Sequence, residues 1–136
     1  MGNILGTYSG MLIESLGQTM LLTLLSLIFA FIIGLIFGLM NVSKSKVLNL
    51  IGTIYVDAIR GVPLLVLAYF IYFGVPAGIR ASISPDFRLS ALQAGTIALS
   101  MNAGAYMAEI FRAGIQSVDK GQMEAARSLG LSYGKA

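Results

Sequence analysis

Three long stretches without any charged residue dominate this sequence and limit what it can fold into. They occupy residues 15–43, 61–79 and 89–108 and are 29, 19 and 20 residues long. A helix needs about 20 apolar residues to cross the hydrocarbon core of a bilayer. In lipid an unpaired backbone group is costly, and these stretches lack the alternation of barrel strands, so each is predicted to be a membrane helix.

The composition also indicates a membrane protein. Hydrophobic residues make up 57% of the chain, charged residues 11%, and the mean hydropathy is +0.84, whereas about 25% of residues are charged in typical soluble domains. The first stretch is too long for a signal-peptide core and no Lys or Arg precedes it, so it is expected to stay in the mature protein. Cysteine and histidine are absent, and no catalytic or metal-binding residue is predicted.

We predict an all-α membrane protein with a single domain and three spans: domain 1–136, spans near residues 19–41, 62–79 and 89–110. The mixed polar and apolar residues before the first span favour a short helix lying on the outer surface of the membrane. Four glycines in or beside the spans are expected to mark close helix packing, the first two in a small-xxx-small pattern: Gly34, Gly38, Gly104 and Gly114.

The segment before the second span has a helical pattern of its own. Apolar residues recur there at helical spacing: Val47, Leu48, Ile51, Ile54, Tyr55 and Ala58. They predict either an amphipathic helix at the inner membrane–water interface or the water-exposed lower part of the second span. Pro63 is expected to break this helix, because proline disfavours helical geometry at the residue before it. The Gly-Val-Pro sequence at 74–76 is expected to end the second span.

The basic residues predict how the chain crosses the membrane. Seven lie in the first loop and the C-terminal segment: Lys44, Lys46, Arg60, Arg112, Lys120, Arg127 and Lys135. Only Arg80 and Arg88 lie in the second loop, and none precedes the first span. By the positive-inside rule the N-terminus faces out, and the segment after the third span faces the cytoplasm. The basic residues are spread over the loops and not clustered, so no nucleic-acid partner is expected.

Several motifs, in order, resemble one family of transport proteins. Residues 60–65 are similar to the Arg-Gly-Thr-Pro-Leu-Leu segment of polar amino-acid permeases, with Val62 in place of the threonine. Three further segments resemble the same family: residues 69–76, 98–115 and 121–126. Asp119 stands where members often have proline. The chain thus resembles the permease subunit of bacterial ABC importers of polar amino acids, of the glutamine and histidine type.

The resemblance implies a function, partners and a location. Such a subunit forms the translocation path in the bacterial inner membrane, and ATP is used by a partner ATPase. The chain has no GxxxxGK motif, so neither its own ATP site nor any other cofactor is expected. A second permease subunit, identical or different, an extracytoplasmic solute-binding protein and an amino-acid substrate are also implied. Family members continue into at least two more membrane helices, so this chain is expected to be the N-terminal part of a fold of five or more helices.

The resemblance also implies that residues 117–131 are the cytoplasmic EAA loop, which receives force from the ATPase. The implied coupling residues are Glu124, Ala125, Ala126 and Gly130. Ser117 or Asp119 can cap the start of a helix here, and Gly130 can supply a left-handed residue past its end. The two alanines leave a narrow ridge for docking, and Glu124 is suited to pair with a basic residue of the partner.

Polar residues in the third span are candidates for the translocation path. Asn102, Tyr106 and Glu109 lie at i, i+4 and i+7 and share one helical face. Polar groups in lipid usually face a bundle interior, and an acceptor for an ammonium with a donor for a carboxylate suits an amino acid. The alternative for Glu109 is a structural ion pair with Arg112. At the foot of the second span, Asp57 and Arg60 are expected to form an interfacial ion pair.

Two functions of other classes fit the sequence less well than a transport subunit does. A small proton-coupled exporter needs a carboxylate within the membrane, but Glu14 and Glu109 both lie at span edges. A membrane enzyme or a structural anchor would fit the composition, yet no converging pair of carboxylates lies at mid-membrane depth.

Overall fold

A computed structural model describes residues 2–135, except for the side chains of residues 2–5 and 7. These residues form α-helices and one π-helical segment, with no strand among them. The elements are α1 Gly2–Val42, α2 Lys46–Gly61, α3 Leu64–Tyr69, the π segment Phe70–Gly74, α4 Val75–Ser82, α5 Ala91–Gln116 and α6 Lys120–Ser128. The predicted all-α class is therefore confirmed.

The first span is part of one long helix. α1 is 41 residues long and continues without a break through the segment that was expected to form a separate interfacial helix. That expectation is wrong for the described residues, because no proline interrupts the chain before Val42 and helical hydrogen bonds propagate from residue to residue. The part of α1 that is long and apolar enough to cross a membrane is Tyr8–Val42.

The second span is helical, but one of its turns is a π-helix. The stretch Leu64–Ser82 is continuous and is also long and apolar enough to cross a membrane. Pro76 has no N–H, and its ring would crowd the carbonyl four residues earlier in a regular α-helix. The helix widens just before it, and the Val75 N–H donates to the Phe70 carbonyl five residues back. The prediction that Gly-Val-Pro ends this span is wrong, because the π turn accommodates the proline.

The third predicted span corresponds to α5, and its membrane crossing is not confirmed. α5 has 26 residues, about 39 Å at 1.5 Å per residue. It is not among the two apolar stretches that could cross a membrane, because it is rich in small and polar residues. Ser90 and Gln93 start it with a capping box, each side chain bonding the other's backbone N–H at 3.2 and 2.9 Å.

The core is built around α5, which packs most extensively along α1 and also contacts α2, α3 and the π segment. A Cβ added to Gly34 would lie 2.5 Å from the Met107 Cβ, and one on Gly104 would overlap the facing helix. Gly38 is nearly as close to α5. These contacts confirm the packing role of three glycines. Gly114 has open space around it, so the same prediction is wrong for that residue.

α2 packs against α1 and α5 through a face other than its apolar stripe. Gly52 and Val56 are buried, whereas most of the predicted stripe is exposed: Val47, Leu48, Ile51, Ile54 and Ala58. Tyr55 stacks on Phe37 with ring centroids 3.9 Å apart and donates a hydrogen bond to the Met101 carbonyl at 2.9 Å. Burial raises the pKa of Tyr55 to about 12, which keeps the phenol a neutral donor. Membrane helices commonly pack through small residues, which explains the choice of face.

Candidate functional site

The segment predicted to couple to an ATPase contains α6, and its start is capped by Asp119. The Asp119 carboxylate accepts a hydrogen bond from the Gly121 N–H at 2.7 Å. Ser117, the other predicted cap, donates its hydroxyl to the Gly114 carbonyl at the end of α5. Only three residues, 117–119, separate α5 from α6, so the position of α6 depends closely on that of α5.

The end of α6 is closed by Gly130 in the left-handed conformation, with φ +85°. The Gly130 N–H donates to the Arg127 carbonyl, and the Leu131 N–H donates to the Ala126 carbonyl, at 3.0 and 3.2 Å. This pairing is a Schellman motif and satisfies carbonyls at the helix end. The predicted left-handed role of Gly130 is confirmed.

The surface of α6 is largely open. Glu124 and Ala125 are exposed and Ala126 is half-buried, and no other helix of residues 2–135 packs against α6. The Arg127 guanidinium lies 5.9 Å from the centroid of the Tyr133 ring, a cation–π contact that holds the following turn near the helix. The four predicted coupling residues thus belong to one well-capped helix and its C-terminal turn.

A charged cluster joins the end of α2 to the last turns of α5. The Glu109 carboxylate accepts a hydrogen bond from Arg112, and Arg60 Nη1 lies 4.0 Å from Glu109 Oε2. Arg112 also donates to Gln116 Oε1 at 2.8 Å. Hydrogen bonding to Glu109 and its negative charge raise the pKa of Arg112. The structural pairing of Glu109 with Arg112 is confirmed, whereas the predicted pair of Asp57 with Arg60 is wrong, because α2 turns Arg60 toward α5.

The other two predicted path residues lie one and two turns earlier on α5. The Arg60 guanidinium carbon is 5.2 Å from the centroid of the Tyr106 ring, within the range of cation–π attraction. Tyr106 is half exposed and Asn102 is partly buried. The structure therefore brings Tyr106 and Glu109 together around Arg60. In the described part of the chain, no hydrogen bond joins the Asn102 side chain to this cluster, and substrate contact by these residues stays a prediction.

An open polar cavity of about 330 Å³ lies beside the charged cluster. It is lined by Asn41, Asn49, Thr53, Val56, Asp57, Glu109, Arg112 and Gln116. Sequence reasoning missed this cavity and the position of Arg60, because the lining comes from three helices that are distant in sequence. The sequence contains one indication of the cavity, a polar face on α2 formed at four-residue spacing by Asn49, Thr53 and Asp57.

A family model matches residues 30–136, a range that includes the charged cluster, the cavity and α6. The family is described as the inner membrane component of binding-protein-dependent transport systems. The chain belongs to this family. The family is one of membrane transport components and not of enzymes.

Relatives of this inner membrane component are described as amino-acid permeases. GlnM of Bacillus subtilis (strain 168), a probable glutamine ABC transporter permease, is 42% identical over 126 residues, which cover 93% of this chain and 55% of GlnM. ArtQ of the same organism, an arginine transport system permease, is 36% identical over 124 residues, or 91% of this chain and 54% of ArtQ. The chain thus spans about half the length of these curated relatives.

The fold of this inner membrane component is also similar to that of a solved transporter. A crystal structure of an amino acid ABC transporter with histidines aligns with a TM-score of 0.80 and 40% identity, covering 96% of this chain and 57% of the other. The predicted resemblance to amino-acid ABC permeases is confirmed. The matches do not support a proton-coupled exporter.

Proposed function

We propose that this chain is a transmembrane subunit of an ATP-driven amino-acid importer, which contributes to the translocation path and transmits ATPase motion through α6. The observation that carries the proposal is the structure of α6 itself. It is capped at both ends, open on its surface and separated from α5 by three residues. The descriptions of the relatives, which name glutamine, arginine and other amino acids, supply the substrate class.

The proposed mechanism follows from the connection between α6 and α5. Two permease subunits, identical or different, would each present α6 to an ATPase dimer in the cytoplasm. ATP-driven closure of that dimer would draw the two α6 helices together, and α5 would follow because its last turn leads directly into α6. Hydrolysis of ATP by the partner would reset the path, and an extracytoplasmic solute-binding protein would deliver the amino acid.

In this proposal α5 is the third membrane span, the N-terminus is outside the inner membrane and α6 is in the cytoplasm. α5 is the helix that contacts α1, α2, α3 and the π segment. The face of α5 that packs against these helices is shielded from lipid, so it tolerates polar residues that a lipid-facing surface does not. The path residues proposed on α5 are Asn102, Tyr106 and Glu109, with Arg60 positioned against the last two.

Glu124→Lys tests the docking role of α6. The substitution reverses the charge at an exposed position on α6 and is expected to abolish association with the ATPase in pull-down from solubilised membranes. Insertion into the membrane should be unchanged, because Glu124 touches none of the other helices. Glu14→Lys is the matched control, since Glu14 is an exposed acid on α1. Association of the Glu124→Lys protein at the level of the control would refute the docking role.

A further inference from the structure

We infer that the polar cavity between α1, α2 and α5 binds a zwitterionic amino acid, with its ammonium group at Asp57 and its carboxylate at Arg112. The inference rests on the proposed function and adds to it a site and a binding chemistry. The cavity lies at the end of the helices where α5 leads into α6, and of the predicted path residues only Glu109 lines it. Its volume of about 330 Å³ falls within the range of small-molecule pockets, about 300–1,000 Å³.

The α2 side of the cavity presents hydrogen-bond acceptors. Asn49, Thr53 and Asp57 line it from successive turns, on one face of the helix. The Asn49 side-chain NH₂ donates to the Asn41 backbone carbonyl, which leaves the Asn49 amide oxygen available as an acceptor. Among residues 2–135, Asp57 forms no ion pair. A carboxylate, a hydroxyl and an amide oxygen together match the three N–H donors of a primary ammonium group.

The α5 side of the cavity presents donors instead. Glu109 is already engaged by two cations, since one of its oxygens accepts from Arg112 and the other faces Arg60, which makes Asp57 the better ammonium acceptor. Arg112 has five N–H donors, and in the described residues it donates to Glu109 and Gln116. Its remaining donors are suited to a ligand carboxylate, which guanidinium groups bind with high directionality.

A buried amide forms the α1 side of the cavity wall. Asn41 lines the cavity and is only 6% exposed, yet its Oδ1 has no hydrogen-bond partner within the described residues. Gly52 makes room for this side chain, since a Cβ there would collide with the Asn41 amide. The Asn41 oxygen is enclosed by α2 at Gly52, so it makes the wall of the cavity polar but is not assigned as a ligand contact.

The balance of charge favours a zwitterion over a simple cation or anion. Asp57 and Glu109 contribute two negative charges, and Arg112 and the adjacent Arg60 contribute two positive ones. The charges are separated, with the unpaired carboxylate on α2 and the guanidinium groups around Glu109. A ligand with one ammonium and one carboxylate complements both poles without leaving a net charge in the cavity.

The site can be tested by equilibrium binding to the protein expressed from its natural gene and held in lipid nanodiscs. Radiolabelled L-glutamine and L-arginine are the probes, and glutaramate, which lacks the α-ammonium group of glutamine, is the competitor. For whichever of the two amino acids binds the unsubstituted protein, Asp57→Asn should weaken binding about tenfold, because it removes a charge-assisted hydrogen bond. Thr53→Val should weaken it about fivefold by removing a neutral one. Asp86→Asn, in the loop between α4 and α5, is the matched control and should bind normally.

The competitor separates ligand contact from a structural effect. If Asp57 holds the ammonium group, Asp57→Asn should lower the preference for L-glutamine over glutaramate, whereas a merely structural change would weaken both ligands alike. Equal preference before and after the substitution, or no binding of either amino acid, would overturn the inference. ATP-dependent uptake measured in parallel keeps the two proposals distinct: uptake that is insensitive to Asp57→Asn overturns only this site, and absence of uptake by the unsubstituted protein overturns the proposed function.

Discussion

Arg60 Nη1 lies 4.0 Å from Glu109 Oε2 and connects the end of α2 to the last part of α5. α2 ends at Gly61, one residue after Arg60, and the helix of the second span begins at Leu64. Glu109 is also bonded to Arg112, one turn further toward α6. The pair therefore links the start of one span to the helix that leads into the proposed docking element.

The first prediction concerns the energetic coupling between these two residues. Arg60→Gln and Glu109→Gln should show a coupling free energy of about 1 kcal/mol or less in a double-mutant cycle, because partly exposed ion pairs are screened by water. The side chains are 40% and 31% exposed. Unfolding in SDS titrations measures the effect. The combination of Arg80→Gln with Glu109→Gln should be additive, and equal coupling in both cycles would contradict a specific pair.

The second prediction compares two glycines of α5. Gly104→Ala should destabilise the fold by about 1–3 kcal/mol, because a Cβ there would overpack the contact with α1. Gly114→Ala, in open space on the same helix, should stabilise it by up to about 1 kcal/mol through helix propensity. Both are measured as shifts in the free energy of unfolding. Equal effects of the two substitutions would mean that α1 and α5 do not approach closely at Gly104.

The third prediction concerns Tyr55. Tyr55→Phe keeps the stacking on Phe37 and removes the hydrogen bond to the Met101 carbonyl. The expected loss is about 0.5–1.5 kcal/mol in the free energy of unfolding, the usual net value of such a bond. Tyr69→Phe, at an exposed tyrosine on α3, should have little effect. A Tyr55→Phe protein as stable as the Tyr69→Phe control would show that the bond does not hold α2 on α5.

The fourth prediction concerns the end of α6. Gly130 has φ +85°, and a side chain in this left-handed conformation costs about 1–2 kcal/mol. Gly130→Ala should therefore speed amide hydrogen exchange in the last turn of α6 and weaken ATPase association. Gly134→Ala, outside the helix and without a positive φ, should leave both unchanged. Unaltered exchange in the Gly130→Ala protein would contradict a role for the Schellman motif in stabilising this helix.

The fifth prediction concerns orientation in the membrane. The chain contains no cysteine, so single introduced thiols report their side without background. Ser132→Cys, after α6, should react with a membrane-impermeant maleimide in inverted vesicles and not in intact spheroplasts. Ser84→Cys, in the exposed loop between α4 and α5, should show the opposite pattern. Labelling of Ser132→Cys in intact spheroplasts would overturn the proposed cytoplasmic position of α6.

Local features were the ones that could be predicted from sequence. The break at Pro63, the cap at Asp119 and the left-handed Gly130 each depend on residues within a few positions of one another. The end of the second span was mispredicted at Pro76, because whether a proline terminates a helix or is absorbed by a π turn depends on the surrounding packing. The packing face of α2 could not be predicted, because an apolar stripe does not reveal whether it contacts lipid or protein.

Composition and the order of motifs were sufficient to predict a helical membrane protein of the amino-acid permease family, since uncharged stretches and helix caps are properties of neighbouring residues. The close contact of Gly34 with Met107, the pairing of Arg60 with Glu109 and the polar cavity at Asp57 emerged only from the packed helices. These features join residues from α1, α2 and α5, whose relative rotation and depth are set by side-chain packing. Periodicity along the chain contains no information about that rotation, and the three-dimensional arrangement was needed to find the site.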